Sequence, residues 1–143
     1  MYYTIEPEVA GGIGTRTQMN VSEYPPVVSK LHLELDGWLG DDILETFPCF
    51  VVTERLRHAI EASEVSGYCF DDVEVTVSEQ FREIYGEPNL PAFSWLKIVG
   101  GAGKDDFGLS SGHRLVLSKA ALDLIRNAGR VDNCDVALFP STA

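Results

Sequence analysis

The sequence predicts a single α/β domain of the α+β type, in which a mixed sheet packs against two main helices and one short helix. Its 143 residues suffice for one domain with a real core, and 45% of them are hydrophobic. Two amphipathic segments preceded by hydroxyl residues, at Thr53 and Ser118, predict the main helices. Short apolar runs between turn residues predict the strands. We expect the domain to span residues 1–143.

In the first half of the chain, residues 2–5 and Val27–Leu35 have the pattern of strands. In the second of these, leucines alternate with His32 and Glu34, which predicts one buried face. Residues 50–52 form a compact apolar run that suits a buried strand. Thr53 then predicts a helix over residues 54–63, because a hydroxyl can accept a free backbone N–H at a helix start.

Residues 68–77 predict one further strand, with alternating valines on one face. A short helix follows from Ser78 and ends at Gly86. Residues 93–99, which include Trp95, predict the next strand, and a loop then extends to His113.

The end of the chain repeats the pattern of strand, cap and helix. Residues 115–117 predict a strand, Ser118 caps a helix that closes at Gly129, and residues 131–139 predict the last strand. Three pairs of matching residues lie 65 positions apart: Thr53 and Ser118, Ile60 and Ile125, Cys69 and Cys134. An internal duplication explains this spacing, but any two strand-helix-strand units need a cap and an apolar stripe, so both explanations stay open.

The chain is strongly acidic, with 22 acidic and 11 basic side chains and a net charge of −11. Such a charge repels phosphate, so we expect no direct binding of nucleic acid or of an anionic membrane. It attracts basic partners, although a charge of this size also serves solubility alone.

Cys49, Cys69 and Cys134 are odd in number and widely spaced, which fits neither a disulfide framework nor a zinc site. We expect them to be reduced and buried, with Cys69 and Cys134 at equivalent core positions. The N-terminus lacks a basic region followed by an apolar stretch, and no apolar run approaches the roughly 20 residues that span a bilayer. The prediction is a cytoplasmic protein with no membrane partner.

The glycine-rich stretch IVGGAGKDDF, residues 98–107, resembles a phosphate loop at first sight. A P-loop needs serine or threonine after its lysine, but Lys104 is followed by Asp105 and Asp106, which would repel a phosphate. The spacing of a dinucleotide-binding fingerprint is also absent. We therefore expect no nucleotide and no other cofactor, and interpret the glycines as a turn.

Adjacent aspartates occur three times, at Asp41-Asp42, Asp71-Asp72 and Asp105-Asp106. Aspartates on turns usually cap backbone N–H groups and stay solvated, so no metal site is expected. One alternative is a small metal-dependent hydrolase that combines two of these pairs with His32 or His113. No nucleophile elbow or other catalytic motif is present, so no catalytic residue is assigned.

Several segments together resemble a family of small bacterial immunity proteins encoded beside polymorphic toxins of the contact-dependent inhibition and Rhs types. The segments are DGWLGDD (36–42), FPCFVVTERL (47–56), SGYCFDDVEV (66–75), LPAFSWLKIVGGAGKDDFGL (90–109) and HRLVLSKAALDLI (113–125). The resemblance covers residues 26–134. It implies a non-enzymatic cytoplasmic protein that binds and neutralises a cognate toxin C-terminal domain.

The acidic charge suits a basic toxin, because complementary fields speed association. We hypothesise that one tryptophan and the acidic residues near turns form the toxin-binding surface: Trp38, Asp41, Asp42, Asp71, Asp72, Glu74, Asp105 and Asp106. A generic acidic adaptor for another basic protein is a further alternative.

Overall fold

A computed structural model describes residues 1–140 as twelve strands and three helices. In chain order these are β1 Tyr2–Glu6, β2 Gly11–Ile13, β3 Gln18–Asn20, β4 Val27–Leu35, β5 Ile43–Thr46, β6 Cys49–Thr53, α1 Glu54–Glu61, β7 Tyr68–Asp71, β8 Val73–Val77, α2 Glu79–Tyr85, β9 Phe93–Ile98, β10 Phe107–Leu109, β11 Leu115–Ser118, α3 Lys119–Ala128 and β12 Asp135–Leu138. The α+β fold class, with two main helices and one short helix, is confirmed.

The strands form three sheets. Two are antiparallel, with the orders β5-β6-β9-β7 and β10-β11-β1-β12. The third is built around the long strand β4, which pairs antiparallel with β2 and β3 and parallel with β8. The last pairing makes this sheet mixed.

The two antiparallel sheets contain units of identical topology. In each unit a hairpin, β5-β6 or β10-β11, leads directly into a helix, α1 or α3, and then into an outer strand, β7 or β12. A strand from elsewhere in the chain, β9 or β1, runs antiparallel between the second hairpin strand and the outer strand. This repetition supports the duplication hypothesis.

Two hydrophobic cores hold the sheets together. The first lies between α1, α3 and both antiparallel sheets, and it contains Ile60 and Ile125, both fully buried. The second contains the leucines of β4, together with Val51 and Trp95 from the opposite face of the β5-β6-β9-β7 sheet. Because that sheet is covered on both faces, every residue of β6 is buried.

The helix caps follow the sequence prediction. The Thr53 hydroxyl accepts a hydrogen bond from the Leu56 amide, and the Ser118 hydroxyl accepts one from the Ala121 amide. Helix α1 ends at Glu61, two residues earlier than predicted.

Four strand predictions need correction. Residues 68–77 are two strands, because the chain leaves the β7 sheet at Asp72 and β8 joins β4 instead. The predicted loop before His113 contains β10, which pairs with β11. Strands β2, β3 and β5 were not predicted, and the last strand is confined to Asp135–Leu138.

Of the three cysteines predicted to be buried, only Cys49 is; Cys69 is exposed and Cys134 is half-buried. Cys69 and Cys134 were also predicted to occupy equivalent core positions, and this is wrong. Sheet register explains the error. Cys69 pairs with Lys97 on β9, and the equivalent position on β12 is Asp135, which pairs with Glu6 on β1. Cys134 precedes that strand, so the 65-residue spacing is out of register there by one residue.

Candidate functional site

Asp42 is buried and its carboxylate is fully engaged within the fold. Oδ1 accepts a hydrogen bond from the Thr53 hydroxyl, while Oδ2 accepts from Arg55 Nη2 at 2.5 Å and from the Arg130 amide at 2.5 Å. Burial alone would raise the pKa of Asp42, but these hydrogen bonds and the Arg55 charge outweigh it and hold the pKa below its usual value.

Asp41 is also fully buried. Its Oδ2 accepts a hydrogen bond from the Asn133 amide at 2.8 Å, and Oδ1 accepts one from Asn133 Nδ2 at 3.1 Å. Both members of this pair therefore fix the segment after α3. Their predicted places on a solvated turn and on a toxin-binding surface are wrong, because neither carboxylate reaches solvent.

Asp106 occupies the position equivalent to Asp42 in the second unit. Its Oδ1 accepts a hydrogen bond of 2.6 Å from the Ser118 hydroxyl, and Oδ2 accepts one of 2.9 Å from the Ser66 amide. The hydrogen bond from Ser118, partly opposed by burial and aided by Ser66, lowers the pKa of Asp106. Asp106 is half-buried and joins β10 to the chain before β7.

The glycine-rich stretch folds back onto the β10-β11-β1-β12 sheet. Its Gly101 amide donates a hydrogen bond to Oδ2 of Asp105 at 2.8 Å. A carboxylate of the protein thus already accepts the hydrogen bond that this N–H could give to a phosphate. Gly108 of β10 lies beneath the stretch, where a Cβ atom would be only 2.4 Å from the Gly101 carbonyl carbon. A glycine at 108 thus permits a close approach between two backbone segments.

The Asp71-Asp72 pair and Glu74 lie on the surface, and two of these three carboxylates are in ion pairs. Asp71 accepts from Lys97 Nζ at 3.1 Å, and Glu74 is paired with Arg16 at 2.6 Å. Asp72 is exposed and has no base within 4 Å among the described residues.

The structure does not gather the predicted acidic residues into one surface. Asp106 is bonded to Ser66, before β7 begins, whereas Asp71 is the last residue of β7. At about 3.3 Å per strand residue, the two lie at opposite ends of that strand.

Neither histidine of the hydrolase alternative joins an aspartate pair. His32 is buried; its Nε2 lies 2.7 Å from the Thr76 hydroxyl, and its Nδ1 accepts from the Arg16 amide at 3.2 Å. His113 instead packs against the Tyr24 ring, with centroids 5.8 Å apart. Between residues 1 and 140, no three His, Cys, Asp or Glu side chains are grouped so as to hold a metal ion.

Trp38 is half-buried at the edge of the second core. Its Nε1 donates to the Asp41 carbonyl at 2.9 Å, and the edge of its ring meets Phe93 at a centroid distance of 5.7 Å. The indole is therefore held in a fixed orientation. One of its sides borders a surface pocket.

This pocket, which we call the Trp38 pocket, has a volume of about 330 Å³. Its lining residues are Glu8, Val9, Ala10, Gly11, Asp36, Gly37, Trp38, Leu39 and Tyr85. Glu8 is 5% exposed, and its carboxylate accepts from the Leu39 amide at 2.7 Å and from the Asp41 amide at 3.3 Å. Burial outweighs these hydrogen bonds and raises the pKa of Glu8.

Of the residues that line the pocket, only Trp38 was a predicted site residue. Glu8, Trp38 and Tyr85 come from three distant parts of the chain, and no local pattern connects them. These three residues come together only in the tertiary fold.

No known protein-family model matches this chain, and neither does any curated protein or solved structure. Across residues 1–140, every helix is too short or too polar to cross a membrane.

Proposed function

We propose that this chain is a non-enzymatic, cytoplasmic immunity protein that binds a basic bacterial toxin domain and neutralises it. The proposal is supported by the family resemblance of residues 26–134 and by the net charge of −11. The observation that carries it furthest is the distribution of that charge over the surface.

Many exposed carboxylates lack a basic partner. Those with no base within 4 Å in the described part of the chain are Glu23, Glu34, Asp36, Glu64, Asp72, Glu79, Glu83 and Asp135. Among residues 1–140, the lysines and arginines with no carboxylate within 4 Å are fewer: Lys30, Lys104 and Arg126. The surface thus has an uncompensated negative field, which accelerates encounter with a positively charged protein.

The buried carboxylates favour binding over catalysis. The buried Asp42 and the half-buried Asp106 each accept a hydrogen bond from a hydroxyl of their own unit. These two aspartates and the buried Asp41 also accept hydrogen bonds from backbone amides of the other unit. A general base or metal ligand needs a lone pair directed at the substrate or ion. The oxygens of these carboxylates instead accept hydrogen bonds from donors of the protein itself.

The decisive experiment uses the C-terminal domain of the large secreted protein that the proposal places in the adjacent upstream gene. Calorimetry of the two purified proteins should give a 1:1 complex, and the chain should abolish the toxicity of that domain on co-expression. The association rate constant should fall steeply between 50 and about 300 mM salt, because screening weakens the attraction.

Two outcomes would contradict this function. One is an upstream gene neighbourhood with only metabolic enzymes. The other is a toxin domain that remains fully active with the chain in excess. Titration with Mg²⁺, Mn²⁺ and Zn²⁺ tests the hydrolase alternative separately, since tight stoichiometric binding would favour an enzyme.

A further inference from the structure

We propose that the Trp38 pocket binds an arginine side chain of a basic protein partner. This inference rests on the proposed function for the identity of the partner, which is the basic toxin domain. It assigns to the pocket a ligand chemistry that follows from its shape and its charge.

The walls of the pocket are aromatic and aliphatic side chains exposed to solvent. Tyr85 is 55% exposed, Leu39 is 60% exposed and Val9 is 69% exposed. Together with the half-buried Trp38, these side chains form the apolar part of the pocket lining. Tyrosine and tryptophan rings on such surfaces dominate the binding free energy of protein interfaces.

The charge of the pocket has one sign. Glu8 and Asp36 line it, and no lysine, arginine or histidine does. Neither carboxylate has a base within 4 Å among residues 1–140. An ionised carboxylate accepts about four hydrogen bonds, and Glu8 receives only two from backbone amides. Acceptor positions on Glu8 therefore remain for a cationic ligand.

A guanidinium group satisfies both features at once. Its planar face stacks on aromatic rings, and its N–H groups form charge-assisted hydrogen bonds to carboxylates. A lysine ammonium provides the charge but is more strongly hydrated and does not stack. An apolar groove between Pro25 and Trp95 is bordered by Lys97, and a second pocket that Trp38 lines contains Arg55 beside Asp42, so neither has this complementarity.

The two tryptophans provide a direct test by nuclear magnetic resonance. Trp38 borders the pocket, whereas Trp95 is 5% exposed and its ring is covered by Lys97 Nζ at 4.5 Å. The probe is the acetylated and amidated tripeptide Gly-Arg-Gly, and the matched control is the same peptide with citrulline, which has the shape of arginine without its charge.

Titration with the arginine peptide should shift the Trp38 indole N–H resonance saturably, with a dissociation constant on the order of 1 mM. The Trp95 resonance should stay in place, and the citrulline peptide should produce less than about a tenth of the shift. Equal shifts from the two peptides, equal shifts of both indoles, or no shift at all would overturn the proposal.

Two variants test the negative charge and the aromatic wall of the pocket separately. Asp36→Asn removes an exposed charge, and Tyr85→Ala removes a wall; each should weaken peptide binding by about three- to thirtyfold. Glu64→Gln removes another exposed charge, which lies outside the pocket and has no base within 4 Å in the described residues, and it should leave binding unchanged. Near-ultraviolet circular dichroism checks that each variant is folded. Binding that survives both pocket variants would contradict the proposal.

Toxin binding separates this proposal from the proposed function. If Asp36→Asn and Tyr85→Ala bind the toxin domain as tightly as the wild-type chain does, the pocket is not the partner site, while the immunity function stands. If the wild-type chain binds the arginine peptide but not the toxin domain, the immunity function fails and the pocket assignment stands. Loss of toxin affinity in both variants, with Glu64→Gln unaffected, supports both.

Discussion

The Ser118 hydroxyl donates a hydrogen bond of 2.6 Å to Oδ1 of Asp106, and the Ser118 amide donates one of 2.9 Å to the Asp106 carbonyl. Thr53 makes the same two hydrogen bonds to Asp42 in the first unit. Each aspartate therefore connects the start of a hairpin to the cap of the following helix.

The second oxygen of each aspartate reaches the opposite unit. Asp42 accepts from the Arg130 amide after α3, and Asp106 accepts from the Ser66 amide after α1. The two units are thus tied to each other reciprocally. We infer that the hydrogen bonds of Asp42 and Asp106 contribute more to the free energy of unfolding than any exposed salt bridge does, since exposed ion pairs contribute little.

Ser118→Ala should lower the free energy of unfolding by about 1–3 kcal/mol. The substitution removes the cap of α3 and leaves one oxygen of the half-buried Asp106 without its donor. Urea denaturation monitored by circular dichroism measures the change. Ser118→Thr keeps the hydroxyl and is the matched control, with an expected loss below about 1 kcal/mol; equal losses in the two variants would mean that the hydroxyl contributes nothing.

The acid dependence of stability should depend on Asp42. Burial opposes ionisation, but hydrogen bonds from Arg55, Thr53 and the Arg130 amide keep the pKa of Asp42 below its usual value. Its ionisation therefore stabilises the fold fully above the unfolded-state pKa of about 4, and this contribution is lost as the pH falls through the lower folded-state pKa.

Asp42→Asn tests this relationship. The variant should be about 2–4 kcal/mol less stable than the wild-type chain near pH 7, because the amide group faces donors that the carboxylate satisfied. The difference should shrink below about pH 4. Urea midpoints between pH 3 and 7 provide the measurement, and a difference that is constant with pH would show that the charge of Asp42 is irrelevant.

The caps and the helices were predictable because they depend on neighbours in sequence. Thr53 and Ser118 bond amides three residues away, and the apolar stripes of α1 and α3 follow helical spacing. The Asp41-Asp42 pair was mistaken for a solvated turn for the opposite reason. The partner of Asp42, Arg130, lies 88 positions further along the chain, so no local pattern shows that the carboxylate is buried.

The strand break at Asp72 was missed on similar grounds. The alternation of apolar and polar residues continues through Val73 and Val75. However, the first half of the segment pairs with β9 and the second half pairs with β4, in two different sheets. Periodicity shows that a residue has a buried face without identifying what buries it. The Trp38 pocket escaped prediction in the same way, because Glu8 and Tyr85 meet only in the folded chain.

Gly108→Ala should destabilise the fold by about 1–3 kcal/mol. The new methyl group would lie 2.4–2.6 Å from backbone atoms of Gly101 and Ala102, so the glycine-rich stretch would have to move away from β10. Gly12→Ala is the matched control on another strand, since nothing lies within 4 Å of its Cβ position, and it should be neutral or slightly stabilising. Thermal unfolding compares the two, and similar melting temperatures would refute the close approach at Gly108.

The three thiols should differ in reactivity in the native protein. Cys69 is exposed, whereas burial raises the pKa of Cys49 to about 12 and that of Cys134 to about 11. Because the thiolate is the reactive species, a disulfide reagent at pH 8 should modify one thiol rapidly. Peptide mapping should place the modification on Cys69, and Cys69→Ser should lack the fast phase. Rapid native labelling of Cys49 would contradict its burial.

Charge reversal at two exposed sites should affect toxin binding in different ways if both proposals hold. Asp72→Lys changes the overall field without touching the Trp38 pocket, so it should slow association several-fold at 50 mM salt and leave dissociation unchanged. Asp36→Lys places a cation where the arginine would bind, so it should also accelerate dissociation by at least about tenfold. Surface plasmon resonance with the immobilised toxin domain resolves the two rate constants. Faster dissociation in Asp72→Lys alone would place the contact at the β7-β8 corner instead of at Trp38.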